Sequence, residues 1–113
     1  MPANQIQITV HVKKPYISCT PNGGNAHLHQ ARRDQIRWVS EAPADPAKRF
    51  TLSFTDLDTG APVPWPFLEG QLGWPTADTG PLTVSVSATP KYIKYGVQVS
   101  GCNDLDPIII VDR

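Results

Sequence analysis

The chain has 113 residues, enough for one hydrophobic core and too few for a second domain with its own, so residues 1–113 are expected to form a single domain. Ten basic and ten acidic side chains cancel, which leaves no positive field to gather phosphates and argues against nucleic acid as a ligand. Twelve prolines and eight glycines, spread along the chain, disfavour helices and suit turns between short strands. No run approaches the ~20 apolar residues of a membrane helix, and no basic and apolar leader precedes Gln5, so the expectation is a soluble, cytoplasmic protein with no membrane partner.

In chain order, Gln5 to Val12 alternates, with Ile6, Ile8, Val10 and Val12 on one face and Gln5, Gln7, Thr9 and His11 on the other. That is the period of a half-buried strand, and it leaves His11 facing solvent. Lys13-Lys14-Pro15 breaks the pattern, Tyr16 to Cys19 offers a short second strand, and Pro21-Asn22-Gly23-Gly24-Asn25 is a strong turn cluster. Asn25 to Gln35, with Ala26, Leu28 and Ala31, comes nearest to an amphipathic helix but supports one turn at most. Gln35 to Val39 alternates again, with Ile36 and Trp38 on one face, and Phe50, Leu52 and Phe54 mark a fourth strand.

Residues 55–81 hold many turn formers and little alternation, and read as one irregular crossover or a pair of loops. Leu82, Val84 and Val86 mark a further strand, Tyr92 to Val99 another, and Ile108 to Val111 the last. About seven short strands in one small domain predict an all-β fold of two packed antiparallel sheets with Greek-key connections.

Several motifs then line up. Proline follows the first strand, a cysteine sits in the second, and Arg33-Asp34-Gln35-Ile36-Arg37-Trp38 stands where cupredoxins often show Gly-Asp-x-Val-x-Trp. Phe50-x-Leu52-x-Phe54, Trp65-Pro66-Phe67 and Tyr92-x-x-Tyr95-x-Val97-x-Val99 come after it. Together they resemble a cupredoxin-like sandwich across most of the chain, with an immunoglobulin-like sandwich as the alternative. The resemblance implies a blue-copper centre of two imidazoles, a thiolate and a weak axial ligand, in the loop after the Trp strand and the turn before the last strand. Val39 to Lys48 contains no His, and Ser100 to Pro107 contains Cys102 but neither His nor Met. Type-1 copper is therefore not expected, and no cofactor is assigned.

Candidate sites remain. His27 and His29 are two apart, so extended backbone sends both to one face, the start of a copper or zinc site if other ligands converge. Cys19 and Cys102 lack CxxC spacing; either they are reduced thiols in the cytoplasm, or they form a disulfide worth about 4 to 5 kcal/mol in the chain-entropy account, which would imply a secreted or periplasmic protein. Residues 60–76 carry Trp65, Phe67, Leu68 and Trp74 on a proline-stiffened segment, suited to a protein groove or a sugar ring; the cupredoxin resemblance, which places a Pro-Phe pair at Pro66-Phe67, implies that Phe67 plugs the sandwich instead. Asp56-Leu57-Asp58 begins like a calcium loop, but its twelfth position is Phe67. No nucleophile elbow or phosphate loop is present, so no catalytic residue is nominated and the chain is read as a non-enzyme. Arg32, Arg33 and Arg37 read as a solvated strand edge, and Asp104 and Asp106 as turn residues. The sequence thus predicts a metal-free binding or interaction module that presents residues 60–76 to a protein partner or to another copy of itself. A metal-binding protein using His27 and His29, and a carbohydrate-binding module using the same tryptophans, are the alternatives.

Overall fold

A computed structural model describes residues 5–63, 65–84 and 91–112, with the side chains of Arg32 and Asp112 left aside. The strands are β1 (Gln5–Lys13), β2 (Tyr16–Thr20), β3 (Ala26–His29), β4 (Gln35–Ser40), β5 (Thr51–Asp56), β6 (Leu82–Thr83), β7 (Tyr92–Gln98) and β8 (Ile108–Asp112). They form two four-stranded sheets, ordered β2-β1-β4-β6 and β3-β8-β7-β5. The all-β sandwich is as read from the alternation, with two differences in detail.

The first concerns direction. Each sheet holds one parallel pair, β1 with β4 and β3 with β8, beside its antiparallel pairs. Parallel neighbours need a crossover, and here the chain leaves the first sheet after β2, runs through β3 in the second, and returns as β4. The second difference is β3 itself, which occupies the stretch that came nearest to a helix. Leu28 is buried while His27 and His29 on either side are not, the period of a strand edge rather than a helix. The helical character is confined to a 3-10 turn, Gln30–Arg32. Behind it, the buried Asp34 carboxylate accepts from the His29 amide at 2.8 Å, and the Asp34 amide donates to the His29 carbonyl at 3.2 Å. Val86, expected in the sixth strand, lies outside the described residues.

Alternate residues of every long strand meet between the sheets: Ile8, Val10 and Val12 from β1, Ile36 and Trp38 from β4, Leu52 and Phe54 from β5, Ile93, Tyr95 and Val97 from β7. Trp38 is the hub, with edge-to-face contacts to Tyr95, Phe54 and Phe67 at centroid separations of 5.1, 6.1 and 6.0 Å. The Tyr95 hydroxyl donates to the carbonyl of Gly24 in the turn between the sheets. Burial pushes the phenol up from its ordinary range. The Trp38 indole N–H, near enough to Tyr95 to favour the ionised phenol slightly, reaches no partner in hydrogen-bond geometry.

The segment between β5 and β6 contains no strand among its described residues, yet it is fastened to both sheets. Bridges join Pro62 to Thr55, Thr76 to Phe50, Asp78 to Val39 and Phe67 to Val84. It closes one side of the sandwich, which is why so proline-rich a segment holds a fixed path.

Candidate binding groove

Two arms of that segment flank the outer edge of β5. The first arm is anchored where the Asp56 amide donates to Ala61 and the Val63 amide donates to the Phe54 carbonyl at 2.9 Å. It then carries Trp65, half-buried, against Phe54 and Phe67 at 6.0 and 5.1 Å. The Trp65 indole N–H donates to the Glu69 carbonyl. Burial pushes the Glu69 carboxyl up, but bonds from the Thr83 amide (2.6 Å) and hydroxyl (2.8 Å) outweigh it and hold the group below its usual range. These bonds pin the turn to β6 and leave Leu68 56% exposed. Phe67, in contrast, is buried in the core. It is the plug expected from the sequence, so of the four candidate contact residues it is the one that cannot touch a partner.

The second arm carries Trp74, also half-buried. Thr76 exchanges two 2.9 Å bonds with Phe50, and Arg37 grips the Asp78 carboxylate with two guanidinium nitrogens. That pairing holds the Asp78 carboxyl below its usual range and corrects the reading of Arg37 as a strand-edge charge: it lies on β4, an inner strand of its sheet, and anchors this arm. The indoles of Trp65 and Trp74 meet edge to face, with centroids 6.3 Å apart and an interplanar angle of 62°, and form one continuous aromatic surface. Between the arms lies a groove of about 340 Å³, floored by Leu52, Ser53 and Phe54 and walled by the two indoles, with Gln71 at its rim. Among the described residues no ionisable side chain lines it.

The other candidates fall elsewhere. His27 and His29 share a face of the edge strand β3 as anticipated, with rings stacked at 4.7 Å and 24°. His27 also borders a broader, shallow depression of about 460 Å³ with Ile108 and Ile110. Among the described residues no three His, Cys, Asp or Glu side chains converge as a metal site. The type-1 copper donor set does not fit either: Cys102 stands without histidines, and Glu41, in the loop after β4, is engaged by His11, the Val12 amide and Lys48. Cys19 and Cys102 are free thiols, and the disulfide is not formed. Cys19 points into the core, where burial pushes its thiol up to about 11 and keeps it protonated and inert.

One constellation escaped the sequence reading. His11 is not simply solvated; its Nδ1 meets Glu41 Oε2 at 2.9 Å and its Nε2 meets Thr20 Oγ1 at 2.8 Å. Carboxylate, imidazole and hydroxyl follow one another as in an acyl-transfer relay. The set lies on the polar outer face of its sheet, however, with Glu41 shared among other donors. It serves as a tie joining β1, β2 and the exit of β4. The partners are 30 and 9 residues from His11, so no local motif could have revealed it.

No helix among the described residues is long and apolar enough to cross a membrane. Comparison with protein-family models, with curated proteins and with solved structures found no match for this chain.

Proposed function

We propose that this protein is a non-catalytic binding module of cupredoxin-like fold, without type-1 copper, that receives a partner in the groove lined by Trp65, Trp74 and the edge of β5. The observation that carries the reading is a pair of half-buried indoles in edge-to-face contact, held by backbone bonds to β5 and by the Glu69–Thr83 and Arg37–Asp78 contacts. Aromatic walls that are already fixed give contact area at small entropic cost on binding. Leu68, exposed on the same segment, extends the apolar surface. The uncharged lining fits a neutral partner, and a protein segment suits it better than a glycan, whose many hydroxyls would find few polar side chains among the described lining residues, Gln71, Ser53 and the indole N–H of Trp74.

Titration with arrays of peptides and glycans, read by Trp emission, tests the reading. Trp65→Ala and Trp74→Ala are each expected to weaken the binding found by roughly 30-fold, the effect of a central aromatic anchor. Trp74→Ala should lower the unfolding midpoint less than Trp65→Ala, because Trp65 touches Phe54 and Phe67 as well as Trp74. Binding that survives both substitutions removes the groove as the site.

A second reading, metal binding, is favoured by the stacked His27 and His29, since paired imidazoles suit Cu(II) or Zn(II). Untagged protein titrated with Cu(II) should then bind one equivalent, lost in His29→Ala; substoichiometric uptake ends that reading.

A further inference from the structure

The backbone at the floor of the groove specifies its ligand more closely than the indoles do. β5 is an edge strand, paired on one side with β7. In an antiparallel pair alternate residues turn both backbone groups to the same neighbour. On β5 the residues facing away from β7 are Phe50, Leu52, Phe54 and Asp56, as the bonds of Phe50 to Thr76, of Phe54 to Val63 and of Asp56 to Ala61 establish. Between the two arms stands Leu52. Its amide and carbonyl find no protein partner among the described residues, although the pairing positions on both sides of it are filled.

From Phe50 to Phe54 is ~13 Å of strand, and among the described residues the pairing position at its centre is vacant. We propose that the groove binds a short, neutral, proline-flanked peptide, with a single ligand residue exchanging both backbone hydrogen bonds with Leu52 and its neighbours lying against Trp65 and Trp74. This rests on the groove reading above and names its ligand class.

The chemistry follows from the edge. A donor and an acceptor separated as in one amino-acid residue complement the Leu52 pair, which a peptide offers and a sugar hydroxyl cluster does not. Thr76 and Val63 occupy the next pairing positions, so the ligand backbone has to leave the strand path within a residue on either side. Proline suits these flanks, because its fixed φ favours polyproline II, whose three residues per turn diverge from the two-residue period of a strand. The amides of those flanking residues point away from β5, so proline's missing N–H removes no bond. Its ring offers an apolar face to each indole. The absence of ionisable groups from the lining excludes a charged central residue on desolvation grounds.

The test uses the intact protein, uniformly labelled for amide NMR, and the peptides N-acetyl-Pro-X-Pro-amide with X as Leu, Tyr or Gln, each at millimolar concentration. Expected are shifts of the Leu52 amide and the Trp65 and Trp74 indole signals with at least one peptide. N-methylation of X should weaken binding roughly tenfold, since it removes the donor to the Leu52 carbonyl. Equal binding of the N-methyl peptide, or no binding by any of the three, overturns the peptide assignment. If a glycan of the array shifts the indoles instead, the assignment falls while the groove stands. If ligands are found whose binding ignores both tryptophan substitutions, the groove itself falls.

Discussion

Gly24→Ala is expected to destabilise the domain by about 2 to 5 kcal/mol, more than any other glycine-to-alanine change at a described position. Gly24 sits at φ +91° in the turn that carries the chain from one sheet to the other. A side chain there meets backbone strain of ~1–2 kcal/mol. A Cβ would also stand 2.6 Å from the Tyr95 hydroxyl oxygen and 2.9 Å from both Cys19 Cβ and Pro107 Cγ. Two of those atoms belong to stiff groups, so relief requires moving β2 or the entry to β8, an overpacking cost of ~1–3 kcal/mol. Displacement also threatens the bond from the Tyr95 hydroxyl to the Gly24 carbonyl. Gly60→Ala is the control, because Gly60 has a similar positive φ, +74°, but nothing within 4 Å of the added carbon. Urea unfolding of the two variants separates the terms, and an equal loss in both would show that packing around Gly24 gives way freely.

Trp38→Ala should cost about 3 to 5 kcal/mol, a large part of the 5–15 kcal/mol by which a domain is ordinarily stable. Trp38 is fully buried and touches three other rings. Its loss would loosen Phe67, and with Phe67 the wall on which Trp65 rests. Trp38→Phe should cost less than about 2 kcal/mol: it keeps an aromatic edge in the same place and removes an indole N–H that has no hydrogen-bond partner. Comparable destabilisation by both substitutions would mean that lost volume does not set the cost and that the indole, including its N–H, makes a specific contribution, which overturns this account.

The long strands were legible because each presents one face to a shared core. Ile8, Val10 and Val12, or Ile93, Tyr95 and Val97, are strung at a two-residue period that no helix would bury. β3 was not legible: it is four residues long, only Leu28 of it is buried, and its polar neighbours blur the pattern. The aromatic segment stood out by composition, yet nothing local distinguishes Phe67, which faces inward, from Trp65 and Trp74, which line the groove. That division follows from where the Thr83 bonds to Leu68 and Glu69 and the Phe50 bonds to Thr76 hold the backbone. The His11 tie and the Arg37–Asp78 grip were hidden for the same reason, because their partners meet only after distant strands come together.

By itself the sequence determined that this is an all-β domain, which strands form its core, and that no set of type-1 copper ligands stands in its two end loops; periodicity and residue chemistry are local properties and survive without coordinates. The tertiary structure alone decided the parallel pairs, the crossing of β3 into the second sheet, the free state of Cys19 and Cys102, and the opening at Leu52. Each of these depends on which groups meet far along the chain, and a pairing position vacant among the described residues between two filled ones exists only once the edges have been assembled.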